Sequence, residues 1–360
     1  MEKERIEYLD TIKGICILLV VFCHFTVLPS HTYIGNIFMS MAWGAVPCFM
    51  MISGGLMHAS PAFYWKKYIF KFLRLYSALI IWKIIYLLVH FFIMEISFSK
   101  TELIKYLFFF GDIPPVNTGV MWYINAYLTA LLLYPVSYFL FHTDKQGKKL
   151  LFFLLTICFF SGIFIPFCNF LLELFSKTTG WSIIDISGLK SISPLTNYSS
   201  ILFYFLLGAF LFEYENQLKH NISAYKYGKF IPAIMILLGT INLLFIKYMQ
   251  TGSLQWNGIY LADGYNRLST VLLALGIYFF FTIHKGKACD WIAKCIGPYT
   301  MGIYYIHYLL LIVCNTFLYQ YLSGYYSFIL NCIKTLFITF ICILSTILIR
   351  KIPIVKMLVK

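Results

Sequence analysis

Three groups that could do chemistry share one short stretch, RIEYLDTIKGICILLVVFCH, residues 5–24: the carboxylate of Asp10, the ammonium of Lys13 and the imidazole of His24. A neutral imidazole takes up a proton near pH 7, so His24 can act as a general base or as a transient acyl acceptor. The competing reading is a packing histidine that hydrogen-bonds a neighbouring helix. If the stretch is one straight helix, Lys13 and His24 differ by about 20° in azimuth and about 16 Å in height, so they line one face at two depths. Asp10 would sit about 21 Å from His24, too far to orient the ring. Cys23 points about 100° away from His24 and makes no obvious nucleophile and base pair with it.

A second constellation is YWKKYIFKFLRLY, residues 64–76, in which Lys67, Lys71 and Arg74 recur at spacings of four and three. On a helix they form a cationic stripe that could hold phosphates or meet anionic lipid headgroups. Lys83, Lys334 and His307 fall inside apolar runs, where an ionisable group needs a cavity, a partner or a route to the interface. The ten cysteines contain no CxxC pair and no zinc spacing, so we expect neither a metal site nor a disulfide framework.

The elements that must position these groups follow from composition. The 360-residue chain is 61% hydrophobic and 12% charged, against roughly 25% charged in a soluble domain, which excludes a water-soluble globular protein. Stretches of about 20 apolar residues predict ten transmembrane helices near residues 12–28, 36–57, 72–95, 120–141, 149–170, 196–214, 229–249, 267–284, 299–321 and 327–349. The runs are continuous rather than alternating, so a barrel is excluded and the fold class is an all-α integral membrane protein. Of the 28 Lys and Arg, 20 lie on the side of both termini, 6 on the other and 2 within spans, which predicts cytoplasmic termini. The net charge of +14 is therefore topological rather than a nucleic-acid footprint. The run at 12–28 lacks a small-residue cleavage site and is expected to remain as an anchor, in one membrane domain spanning residues 1–360. Outer loops at 96–119, 171–198 and 250–266 carry Trp181, Tyr198, Trp256, Tyr260 and Tyr265, either as an interfacial aromatic belt or as a sugar-binding face.

Several separate stretches resemble acyltransferase family 3, the bacterial membrane enzymes that O-acetylate surface sugars, and in particular its fucose 4-O-acetylase-like branch. They are LDTIKGICILLVVFCH at 9–24, PCFMMISGGL at 47–56 with its Ser53 and Gly54 pair, KFLR at 71–74, MWYINAYL around Trp122, and GPYTMGIYYIH ending at His307. The resemblance implies a bacterial cytoplasmic-membrane protein that uses acetyl-CoA or another acyl-CoA as donor, with no tightly bound cofactor. It implies catalytic positions at His24 and Asp10, CoA-phosphate contacts from Lys13, Lys71 and Arg74, and substrate contacts from Trp122, Asn125 and His307. The implied partners are acyl-CoA, membrane lipid and a surface polysaccharide or lipid-linked sugar acceptor. Lys13 and Lys71 stand where many members carry Arg, giving point charges in place of planar forks. The rival expectations are a transporter or flippase of lipid-linked sugars without acyl transfer, and a sensor or assembly subunit of an envelope complex.

Overall fold

Inside a bilayer the backbone of each apolar run must satisfy its own hydrogen bonds, and the chain answers with helices. The computed structural model describes residues 7–25, 33–94, 98–108, 113, 119–182, 184–192, 198–224, 227–254, 261, 264–284, 286–322, 328–353 and 355–359. Among these there is no strand, and the helices are α1 (Glu7–Phe25), α2 (Tyr33–Ala42), α3 (Ala45–His58), α4 (Trp65–Met94), α5 (Lys100–Phe108), α6 (Trp122–His142) and α7 (Lys145–Phe159). They continue with α8 (Ile165–Thr179), α9 (Ser199–Ala224), α10 (Ile231–Thr251), α11 (Leu268–Ile283), α12 (Lys287–Cys295), α13 (Thr300–Leu322) and α14 (Phe328–Lys351).

Seven helical stretches are long and apolar enough to cross a membrane: Tyr33–His58, Trp65–Ile93, Trp122–His142, Lys145–Thr179, Gly228–Thr251, Lys287–Cys314 and Phe328–Lys351. They overlap seven of the ten expected spans; the other three overlap α1, α9 and α11, with residues 26–28 and 196–197 lying outside the described residues. Each of those three departs from the simple pattern for a visible reason. Glu7, Asp10 and Lys13 sit in the first turns of α1, Glu213, Glu215 and Lys219 in the last turns of α9, and α11 has only 16 residues.

Two expected spans are interrupted. The run at 36–57 breaks between α2 and α3 at Trp43 and Gly44, just before Pro47. The run at 149–170 continues through a π-helical turn at Phe160–Phe164 into α8, which occupies part of the outer loop expected at 171–198. Gly162 lies in that turn because a Cβ there would come within 2.5 Å of the Ser200 backbone nitrogen.

Helix ends pair on two faces. On the basic face Lys148 bonds Glu213, His142 Nε2 lies 2.8 Å from the His58 carbonyl, and Arg350 donates to the Pro298 carbonyl at 2.7 Å. On the opposite face Lys177 donates to the Met249 carbonyl at 3.3 Å, and Lys247 to Asn36 at 2.8 Å. The tightest helix contact is α3 on α9: a Cβ on Gly54 would lie 1.8 Å from the Phe205 carbonyl oxygen, and one on Gly208 would lie 2.0 Å from that of Met51. Small residues let these two backbones touch, which is how helices without a hydrophobic driving force associate.

Lys83, suspicious in the sequence, is a structural tie. Its Nζ donates to the Tyr106 carbonyl at 2.6 Å and sits 4.6 Å from the Tyr106 ring centre, while the Tyr106 hydroxyl donates to the Lys83 carbonyl. The pair clamps α5 onto α4. His58 is likewise internal glue: wholly buried, it bonds the Gly54 carbonyl through Nδ1 and the Ser137 hydroxyl through Nε2, joining α3 to α6.

Candidate active site

The site begins with the periodicity of α1. Lys13, Ile17, Val20 and His24 recur at spacings of four, three and four, and all four line one cavity of about 720 Å³. Gly14, one position on from Lys13, faces the other way, where a Cβ would lie 2.4 Å from the Ile292 side chain of α12. The small residue lets the amphipathic α12 lie flush on α1, and Thr11 fastens the contact by donating to the Cys289 carbonyl at 3.0 Å. Ser53 and Gly54 divide their labour in the same manner: Ser53 lines the cavity while Gly54 admits α9 behind it.

Cations gather at the end of the cavity near the basic face. Lys13, Lys71 and Arg74 line it together, and among the described residues no carboxylate lines it. Lys71 lies 5.5 Å from the Tyr127 ring centre and 3.2 Å from Met57 Sδ. The buried Nε of Arg74 has no hydrogen-bond partner, a donor left available for an anion. Lys67, the third member of the sequence stripe, instead covers the Tyr64 ring at 4.4 Å. Asp10 is bonded to Lys13 at 3.1 Å, is not among the cavity-lining residues, and sits on an unbroken α1, so its distance from His24 remains about 21 Å.

Toward the opposite end the wall becomes aromatic. Trp43, Trp122, Tyr123 and Tyr265 line it, with Tyr265 4.7 Å from Trp43 and 5.0 Å from Trp122 between ring centres. Trp122 was legible in the sequence and Tyr265 was singled out as a loop aromatic, but Trp43 was missed. Its signal was the Trp-Gly pair ahead of Pro47, since broken helix at membrane depth is tolerated where it borders a cavity. Trp181 is exposed, and Trp256 and Tyr260 lie outside the described residues. Asn125 is not among the lining residues: it lies on the far side of α6 from Tyr123 and Tyr127, with its Oδ1 buried and unpartnered. Cys23 does reach the wall, although its Sγ contacts the Val20 carbonyl at 3.1 Å.

His24 is brought against His307. Their ring centres are 5.3 Å apart with the planes tilted by 39°, and Tyr308 meets His24 edge-on at 5.4 Å. His307 itself is completely buried behind the wall rather than on it. It is carried by α13, whose Thr300, Met301, Tyr304 and Tyr308 contribute the facing wall. That helix is pinned by Tyr304 bonding the Val120 carbonyl, by Tyr86 donating to the Tyr305 carbonyl at 3.0 Å, and by Trp82 stacking on Tyr305.

A helical membrane bundle with a cavity that is cationic near one face and bears an imidazole at depth belongs to the class of multi-pass membrane proteins with an internal site. The family profile described as an acyltransferase domain matches residues 6–351, and the chain belongs to acyltransferase family 3. No curated protein and no solved structure matches the chain.

Proposed function

We propose that this membrane acyltransferase moves an acetyl group from cytoplasmic acyl-CoA to a hydroxyl of a surface or lipid-linked sugar, in the cytoplasmic membrane of a bacterium. The observation that carries the reading is continuity: Lys13, Lys71 and Arg74 line the same cavity as His24. The three cations suit the phosphates of CoA, Arg74 by a planar fork and the lysines as point charges. From there the thin pantetheine arm can reach toward His24, about 16 Å deeper on α1 than Lys13. Trp43, Trp122 and Tyr265 offer flat faces to a sugar ring arriving from the other side.

In the direct version His24 takes the proton of the acceptor hydroxyl while oxygen attacks the thioester carbonyl. The C–S bond then breaks and the CoA thiolate leaves carrying that proton. In the covalent version the same ring nitrogen attacks the thioester, the C–S bond breaks and CoA leaves as thiolate; the acceptor hydroxyl then attacks the acyl-imidazolium, restoring the free ring while its proton passes to water, with ping-pong kinetics as the mark. Asp10, bonded to Lys13, acts by holding that ammonium in place.

The test is incubation of membranes containing the protein with radiolabelled acetyl-CoA, paired with mass spectrometry of surface glycans and lipid-linked precursors from cells with and without the gene. One added acetyl mass per modified sugar and free CoA are expected. Unmodified sugar carried across with acetyl-CoA intact would replace this reading with a transporter.

A further inference from the structure

An imidazole that serves as a base or nucleophile must present a bare nitrogen to its substrate, so something has to hold its proton on the other nitrogen. A carboxylate does this in many sites, yet Asp10 lies about 21 Å away along an unbroken α1, and among the described residues no carboxylate lines the cavity. The structure instead places His307 beside His24.

The state of His307 follows from its contacts. Its Nδ1 lies 3.0 Å from the Ile303 carbonyl oxygen, which can only accept, so Nδ1 carries the hydrogen. In the neutral ring Nε2 is then a bare acceptor, and this atom is fully buried without a hydrogen-bond partner. A buried acceptor left unmet is destabilising, because it has lost its water and gained nothing in return. Two neighbouring donors are committed: the Tyr304 hydroxyl bonds the Val120 carbonyl, and the Cys23 thiol contacts the Val20 carbonyl. Besides Tyr308, whose ring lies edge-on to His24, the titratable and charged groups around the cavity are Tyr123, Tyr127, Tyr265, Lys13, Lys71 and Arg74.

We propose that His307 is the positioning residue of His24: the rings stand 5.3 Å apart between centres, and a small turn of His24 brings its N–H onto the unmet Nε2 of His307, fixing the tautomer that turns a bare nitrogen to the cavity. This rests on the acyl-transfer reading above but not on which version of it operates, since the base and the acyl carrier need the same nitrogen free. When His24 takes the acceptor's proton, the N–H directed at His307 stays in place and its bond strengthens against the new positive charge. The proton just taken leaves with the CoA thiolate, so His307 itself ends each turnover unchanged.

Nuclear magnetic resonance on ¹⁵N-histidine-labelled protein in lipid nanodiscs tests this directly, with the His24 signals assigned by their loss in His24→Ala. A single His24 tautomer is expected in the native chain, a mixture in His307→Leu, and recovery of the single form in His307→Gln, whose amide oxygen still accepts. In proteoliposomes, CoA release from acetyl-CoA should fall about 100-fold in kcat for His307→Leu. Its KM for acetyl-CoA should stay within about twofold, and His307→Gln should regain about tenfold or more in kcat. Two tautomers in the native chain, an unchanged His24 spectrum in His307→Leu, or His307→Gln as impaired as His307→Leu would each overturn the assignment. Undiminished CoA release by His24→Ala would instead sink the acyl-transfer reading and leave the tautomer result standing.

Discussion

His24 and Arg74 are both on the cavity wall, yet their replacements should fail in different ways. His24→Ala should lose transfer by about 10²-fold to 10⁴-fold if the ring is a base, and completely if it carries the acyl group. The protein should remain inserted and monodisperse on size-exclusion chromatography, because a truncated wall residue leaves the helix contacts intact. Arg74→Ala should chiefly raise the KM for acyl-CoA, by about tenfold or more, since a charge-assisted bond made equally in ground and transition states adds binding alone. Steady-state kinetics against acetyl-CoA separates the two. Lys13, Lys71, Arg74 and His24 were legible from residue type and spacing, with the family resemblance supplying their roles. The juxtaposition of His24 with His307 was not, because 283 positions of chain separate them, and no local periodicity reports on which helices become neighbours.

At the scale of the element, the motifs divide between a residue that faces the cavity and a small neighbour that lets another helix approach. Gly54→Ala should therefore be costly although it adds one methyl group. The new Cβ would stand 1.8 Å from the Phe205 carbonyl oxygen, backbone that cannot swing aside. We expect about 3 kcal/mol or more of destabilisation, the upper range for overpacking, read as a lower melting temperature in detergent. Ser53→Ala, on the cavity side of the same motif, should change stability by no more than about 0.5 kcal/mol and leave that temperature nearly where it was. Hydropathy placed the helices well, since length and composition decide where a bilayer span can form. It missed the Trp43 break and the π-helical turn at Phe160–Phe164 because both answer to packing between helices, which a single-segment average does not contain.

For the whole molecule, the charge bias makes a topological prediction. Cys295 is exposed at the end of α12, on the basic face. A membrane-impermeant maleimide should label it in inverted vesicles and leave it untouched in intact cells. Thr179→Cys, exposed at the end of α8 on the opposite face, should show the reverse pattern. Labelling of both positions from one side would refute the orientation.

A hollow that reaches from one face of a bundle toward the other is also a hazard, because a membrane that leaks protons or sodium loses its stored voltage. The arrangement of this hollow answers the hazard at both ends. Three fixed positive charges near one face repel small cations as they would attract a phosphate, the device by which a pore-lining arginine keeps protons out of a water channel. Three large rings packed at about 5 Å leave little room for a continuous file of water at the other. The features that would select an anionic carrier and a flat acceptor would thus also keep the cell electrically sealed while the reaction proceeds.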